Sequence, residues 1–597
     1  MADKPRARRP PGAFTAGSVF ALSLVGLLVV TAIGMAATHW GAVTAVSSTG
    51  WRRLVAQRQP ATWQESPPPH DVVLRIDTHR IIRPISPLIY GLAVASADDL
   101  AAAGATLNRW GGNPNSRYNW EVGNAWNAAR DWEFRNYGSD NAAPAAPSLV
   151  ADQFVSTNRA HHAASLITVP SIGWVARSAN KDLAAVGVPA HGGPPVGDGS
   201  TGAIAGYAPT LNRQATSIQS LPRKNAPFTD PPDLNDSAVF QDEWVSHLLT
   251  RFGPADAEGV RFYAVDNEPD LWSVTHTDIH PVEPDYNEEL TSFLEYADAI
   301  KDVDPGAQIL GPSLSGWTAL FYSARDRGSD NFRTHADRLA HGDMPFLAWW
   351  LGEVRRHDQL LGQRTLDVLD VHYYPQAAGV YSAATGAATN RARVRSTRSL
   401  WDPTYLDESW IADSVQLIPR LRGWIDEYYP GTKLAVGEWN WGADTSMNGA
   451  IAIADVLGIF GREGVDMAAY WTSPHRGTPG SAAFAMYTNY DGRGNGFGDL
   501  AVAATSSAPD DVQVFASQHS SSGATLAMVI NQRPDVALTT TVQLADSGTP
   551  AAGIEIYRLD ATAAGVQYVG SRETADAGGL QLDLPAESIT LIRAEVP

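Results

Sequence analysis

Eight short apolar runs, nearly all closing on polar or ionisable residues, recur between residues 85 and 475. They read ISPLIYGLAVA (85–95), ATLNRWGGN (105–113), SLITVPSIGWVA (165–176), VRFYAVDNEPDLW (260–272), QILGPSLSGW (308–317), LDVLDVHYYPQ (366–376), KLAVGEWNWG (433–442) and MAAYWTSPH (467–475). Runs apolar at successive positions are buried on both faces, and alternation with helical or loop stretches is the pattern of parallel strands. Eight of them predict a (β/α)8 barrel rather than an open sheet. One intervening helix is legible, because SAVFQDEWVSHLLTRFG (237–253) sets Val239, Phe240, Trp244, Val245, Leu248 and Leu249 near one stripe.

The polar residues stand at the C-terminal ends of the runs: Asn108-Arg109, Asp266-Asn267-Glu268, His372-Tyr373-Tyr374, Glu438 and His475. In a barrel that end carries the chemistry. Long Gly/Pro/Ser-rich insertions at 186–235 and 376–410 follow the third and sixth runs, and their length predicts loops that shape a cleft. After residue 500 the pattern changes to short alternating strands at 511–517, 525–531, 539–545, 553–559 and 588–594, with Leu526, Met528 and Ile530 on one face. This predicts a β-sandwich, to which the isolated DVVLRID (71–77) adds a strand. The expected order is a basic leader with a signal segment (1–40), a spacer (41–70), a strand lent to the sandwich (71–84), the barrel (85–500) and the sandwich (501–597).

Lys4, Arg6, Arg8 and Arg9 precede the apolar stretch SVFALSLVGLLVVTAIGMAA (18–37). About 20 apolar residues span a bilayer, whereas a signal-peptide core is about 7–15, so the length favours an uncleaved anchor. Small residues at Gly34/Ala36 and Ala45/Ser47 keep a cleaved signal as the alternative. A basic cluster before the span holds the N-terminus inside, so the remainder is expected outside the cytoplasm, either anchored or secreted. The net charge of −20, with no basic block beyond the leader, excludes nucleic acid as the main partner. The absence of Cys excludes disulfides, thiolate metal sites and Cys nucleophiles.

Glu268 ends the fourth run and Glu438 the seventh. Hydrolysis of a glycosidic bond by double displacement needs two carboxyl groups, one to protonate the leaving oxygen and one to attack the anomeric carbon. Trp272, Trp439, Trp441 and Trp471 stand near them and suit either stacking on sugar faces or core packing. Asn267 suits a hydrogen bond to a sugar hydroxyl, Arg109 a charge that keeps Glu438 ionised, and Tyr373 a donor to Glu438. For these three, plain structural bonding at the barrel mouth is the alternative. His276, Asp278 and His280 alternate as ligands on one strand face would, which keeps a zinc hydrolase open. A polysaccharide-binding protein without activity is the alternative from another class.

The segments NRWGGNPNSRYNW (108–120), YAVDNEPDLWSVTHTDIHP (263–281), LDVLDVHYYPQ (366–376), GEWNWG (437–442) and YTNYDGRGNGFGD (487–499) resemble the signature segments of glycoside hydrolase family 44. The resemblance covers residues 71–597 and implies a retaining endo-β-1,4-glucanase acting on xyloglucan or cellulose-type glucans. It also implies a barrel joined to a sandwich built from both chain ends. Carried over residue by residue, it makes Glu268 the acid/base and Glu438 the nucleophile. The chemistry and position of the neighbouring residues, not the resemblance, offer Asn267, Arg109, Trp110, Tyr373, Trp272, Trp439 and Trp471 as candidate substrate-binding residues. No cofactor or catalytic metal is implied; a structural calcium stays open, although no loop spells out its ligands. The expected state is a monomer. The sequence departs from the family pattern in the 186–235 insertion and at Thr277, where a basic residue is expected, and both bear on substrate preference.

Overall fold

The computed structural model describes residues 67–69, 71–132, 134–138, 144–180, 216–545, 552–574 and 579–595. The leader, the 18–37 stretch and most of the 41–70 spacer lie outside them; among the described residues, no helix is long and apolar enough to cross a membrane.

Strand β1 (Val72–Pro84) is followed by the eight strands the apolar runs predict: β2 (Gly91–Ala93), β3 (Leu107–Trp110), β4 (Ala164–Val169), β5 (Phe262–Val265), β6 (Gln308–Leu314), β7 (Val368–Tyr373), β8 (Lys433–Trp439) and β9 (Met467–Tyr470). Each of the eight pairs in parallel with its neighbours in chain order, and β9 closes on β2. Both faces of these strands are buried. Leu107, Leu166, Phe262, Ala264, Leu310, Val368, Ala435 and Met467 fill the lumen, while Tyr263, Ile309, Leu369 and Val436 pack outward. Because side chains alternate, the lumen positions two residues further on are Arg109, Thr168, Asp266, Asp370 and Gly437. The lumen is therefore apolar at its base and polar at its mouth.

Among the described residues, eight strands follow the barrel: β10 (Leu500–Ser506), β11 (Val512–Gln518), β12 (Thr525–Asn531), β13 (Leu538–Ala545), β14 (Ala552–Leu559), β15 (Gln567–Thr574), β16 (Leu580–Leu584) and β17 (Ser588–Glu595). They join β1 in one hydrogen-bonded order, β15-β14-β17-β12-β11-β10-β1-β13-β16. The sheet is sandwiched upon itself: Val72, Leu74 and Ile76 share an apolar core with Val514, Val529, Val542, Leu582 and Ile592. The expected strand at 71–77 is thus present, running antiparallel to β10 and parallel to β13. The face carrying Leu526, Met528 and Ile530 packs instead into the barrel's core. Between barrel and sheet lies a helix, α3 (Met447–Glu463), in which every residue from Asn448 to Gly461 is buried. A helix apolar on all sides is stable only when covered on all sides.

Two expectations need correction. The helix read over 237–253 is shorter, α1 (Gln241–Phe252), because Ala238–Phe240 forms a strand beside Ser217–Leu221, which in turn pairs with Trp174–Ala176. The 376–410 insertion is not loop throughout; it holds α2 (Ala387–Arg395) and a 3-10 segment, Ser396–Leu400. Strands β10, β15 and β16 were not foreseen: β10 and β15 lack a regular apolar alternation, while β16, with Leu580, Leu582 and Leu584 buried, is only five residues long.

Candidate active site

Glu268 and Glu438 come together at the mouth of the lumen. One carboxylate oxygen of each, and a ring nitrogen of His372, lie within 4.8 Å of one another, and all three side chains are buried. Backbone geometry brings them there. Asp266 and Glu268 both adopt left-handed conformations, with φ of 60° and 47°. Such residues are rare outside glycine and persist where the surroundings over-determine them. Asp266 accepts the N–H groups of Ser171 and Ile172 at 2.6 and 2.8 Å, tying the end of β5 to the loop after β4. Glu268 N–H donates to the Ser313 carbonyl at 3.0 Å.

Glu438 is turned inward by a bulge. Against β7, Val371 pairs with Val436 but His372 pairs with Glu438, so Gly437 is the extra residue. Without it, alternation would send Glu438 away from the lumen. Asp370 holds this bulge by accepting the Gly437 N–H at 2.8 Å, and it accepts the Ser313 hydroxyl at 2.7 Å. A Cβ on Gly437 would stand 2.4 Å from Asp370 Oδ1, so only glycine lets the carboxylate approach. One buried carboxylate thus braces the backbone next to Glu438 and, through Ser313, that of Glu268.

The two glutamates differ in their surroundings. Arg109 Nη1 donates to Glu438 Oε1 at 2.5 Å and the Tyr374 hydroxyl to Oε2 at 2.7 Å. Burial raises the Glu438 carboxyl, but Arg109 and Tyr374 oppose the rise. Burial, then the Glu438 and Asp270 charges, push Glu268 well above the usual carboxylate range, with Arg109 the opposing influence. Burial and Arg109 hold His372 well below its ordinary value, so the imidazole is neutral. Its Nε2 faces Arg109 Nη2 at 3.4 Å and accepts, which leaves the proton on Nδ1, 2.9 Å from Glu268 Oε1. Glu268 Oε2 has no hydrogen-bond partner among the described residues. The Glu268–His372–Glu438 set also has the donor chemistry of a divalent-ion site, but the Arg109 guanidinium already supplies the positive charge between Glu438 and His372.

The other predicted residues divide. Asn267 belongs to the site, its Oδ1 accepting from Arg109 Nη2 at 2.8 Å and its Nδ2 donating to Asn113 Oδ1 at 3.3 Å. Trp471 is half-buried, with its ring over Gly112 and its carbonyl accepting from Asn440 Nδ2. Trp110 packs among Tyr118, Trp126 and Phe154. Trp439 is wholly buried against Phe460 and Tyr470, and Trp272 lies in an apolar cluster with Ile172 and Ile279, so both are core residues rather than sugar platforms. Tyr373 does not donate to Glu438; its ring packs on Trp441, outside the lumen, and Tyr374 takes the role. His276, Asp278 and His280 do not share a strand face, because the chain turns there, the Ile279 and His280 N–H groups both donating to the His276 carbonyl. Asp278 is held by Arg117 at 3.0 Å and His280 by Glu288 at 2.8 Å, which removes the zinc reading. His372, Tyr374 and Asp370 had no assigned role in the sequence, although period-two spacing sets all three on one face.

The family model for glycoside hydrolase family 44 matches residues 125–377. Endoglucanase A of Paenibacillus lautus is 35% identical over 510 residues, which cover 82% of this chain and 68% of that protein. A bifunctional glucanase-xylanase from a metagenome library has a solved structure with a TM-score of 0.77 and 38% identity, matched over 89% of this chain and all of that one. A Paenibacillus polymyxa xyloglucanase of family 44, solved with xyloglucan, matches with a TM-score of 0.76 at 30% identity, over 88% of this chain and all of that one. With its barrel, its sandwiched sheet and the carboxylate pair at the barrel mouth, the chain belongs to glycoside hydrolase family 44.

Proposed function

We propose that the protein is a retaining, endo-acting hydrolase of β-1,4-linked glucan backbones, xyloglucan or cellulose-type glucans, with Glu438 as nucleophile and Glu268 as acid/base. One observation carries the reading: two carboxyl groups with oxygens within 4.8 Å sit in unequal electrostatic surroundings. Retaining enzymes hold the pair about 5–5.5 Å apart, whereas inverting ones need about 6.5–9.5 Å to admit a water. Glu438, whose ionised form Arg109 and Tyr374 favour against burial, attacks the anomeric carbon. Glu268, protonated, gives its proton to the departing oxygen from Oε2, the atom left free by His372. The same carboxylate then takes a proton from the water that releases the sugar. The likeness to an endoglucanase and a xyloglucanase supports the substrate class.

Glu438→Gln is expected to abolish hydrolysis with the fold intact, and azide is expected to rescue Glu438→Gly as a glycosyl azide of inverted configuration. Glu268→Ala is expected to slow natural polysaccharide far more than aryl glycosides with good leaving groups. Substantial activity in Glu438→Gln, or equal losses on both substrate types in Glu268→Ala, would overturn these roles. The basic leader and apolar 18–37 stretch further support action outside the cytoplasm, at the membrane surface. Cell fractionation tests this: full-length protein released only by detergent is expected, and soluble protein beginning near residue 37 or 48 would instead mean a cleaved signal.

A further inference from the structure

The insertion after β7 carries a buried cation that hydrolysis does not use. Arg393, on α2, is fully buried. Its Nε donates to the carbonyls of Val380 and Trp441 at 3.1 and 2.9 Å, and its Nη2 to those of Ser382 and Ala384 at 3.1 and 2.8 Å. Nη1 donates to Asn448 Oδ1 at 2.7 Å and to Asn390 Oδ1 at 3.5 Å. Both amides turn their nitrogens the other way and donate to Glu587 Oε1, at 2.9 and 3.1 Å. Glu587 lies in the turn between β16 and β17, so it belongs to the sheet. Burial lowers the Arg393 guanidinium below its ordinary value, and Tyr470 and then the Glu587 carboxylate, reached through the two amides, oppose that.

The clamped loop, 379–384, reaches the residue that donates to the candidate nucleophile. Its Tyr381 is half-buried and meets Tyr374 edge-on, with ring centroids 5.1 Å apart. Tyr374 is the donor to Glu438 Oε2. Burial, then the Glu438, Asp444 and Glu268 charges, push the Tyr381 hydroxyl above its ordinary value. The loop also interlocks with the chain after β8. Gly442 has a φ of +76°, and a Cβ there would stand 2.6 Å from Ser382 N.

We propose that Glu587, through Asn390, Asn448 and Arg393, positions Tyr381 against the sugar bound at Glu438. Tyr381 is then a sugar-contacting residue, whereas Glu587 and Arg393 are positioning residues, and the sheet becomes part of the substrate-binding machinery. The proposal rests on the reading of Glu438 as nucleophile.

The test is a double-mutant cycle in the full-length chain, with Tyr381→Ala, Glu587→Gln and the pair measured on soluble xyloglucan. Glu587→Gln keeps the shape and the acceptor oxygen but removes the charge. Each single variant is expected to raise KM about tenfold, with kcat changed less than about threefold, and the pair to be no worse than Tyr381→Ala alone. Amide hydrogen exchange over 379–386 is expected to quicken in Glu587→Gln while the barrel strands keep their protection. Additive losses, or a Glu587→Gln chain with unchanged KM and unchanged exchange, would overturn the proposal. Should Glu587→Gln not fold, Arg393→Lys enters the same cycle, since it keeps the charge without the fork that spans the carbonyls; the same outcomes decide. An active Glu438→Gln would overturn the nucleophile assignment while leaving the exchange result standing, so the two readings fail separately.

Discussion

Two like carboxyl groups divide acid and nucleophile work only where their surroundings pull their pKa values apart. Glu268 is raised well above the ordinary carboxylate range by burial and the Glu438 charge, while Arg109 and Tyr374 restrain Glu438. A general acid acts when protonated, so its active fraction falls as pH rises through the raised value. We therefore expect kcat/KM on polysaccharide to hold across weakly acid pH and to fall on the alkaline side. In Glu268→Ala, assayed with an aryl glycoside of good leaving group, that alkaline limb should vanish. Profiles from about pH 4 to 9 check this, and an alkaline limb that survives Glu268→Ala would assign it to another group. Glu268, Glu438, Arg109 and Asn267 were legible because each ends an apolar run. Tyr373 was misread because a sequence shows alternation without its phase: Asp370, His372 and Tyr374 face the lumen, which puts Tyr373 outside. The same alternation sends Trp439, the neighbour of Glu438, into the core.

At the scale of elements, the eight barrel strands were legible because strands buried on both faces leave uninterrupted apolar runs. The bulge in β8 was not, since Gly437-Glu438 reads as two ordinary strand residues until the partner strand is known. It is the feature that aims the candidate nucleophile, and it predicts the effect of a single methyl. In Gly437→Ala the new Cβ would meet Asp370 Oδ1 at 2.4 Å. The carboxylate must move away, leaving the buried Gly437 N–H without its acceptor, at a cost of about 1–3 kcal/mol. We expect kcat to fall by roughly tenfold or more with KM little changed, because the loss falls on nucleophile geometry rather than on sugar contacts. The melting temperature should drop by only a few degrees. A Gly437→Ala enzyme with unaltered kcat would show that Asp370 does not set the bulge.

For the whole molecule, the consequential placement is that of β1. The sequence at 71–77 showed a strand without a barrel role, and pairing with the far end of the chain followed from there being no other sheet to join. What the sequence did not show is that β1 lies inside the sheet, hydrogen-bonded on both sides, with Leu74 opposite Ser506 of β10 and Val542 of β13. Removing an internal strand leaves two unpaired edges and opens the sandwich core, and exposed edges recruit other chains. Val72, Leu74 and Ile76 are essentially fully buried. At about 1.5–3 kcal/mol for each such side chain, their loss amounts to about 5–9 kcal/mol, comparable with the roughly 5–15 kcal/mol that holds a domain folded. The damage would not stay in the sheet, because its other face covers α3, whose Asn448 holds Arg393. We therefore expect a chain of residues 67–597 to fold and hydrolyse glucan, and one of residues 85–597 to aggregate or to be inactive, although it retains every barrel strand and both glutamates. Expression, thermal melts and activity of the two chains decide it. A soluble 85–597 chain with full kcat/KM would mean that barrel and sheet are separable, and that the strand before the barrel is dispensable to the site.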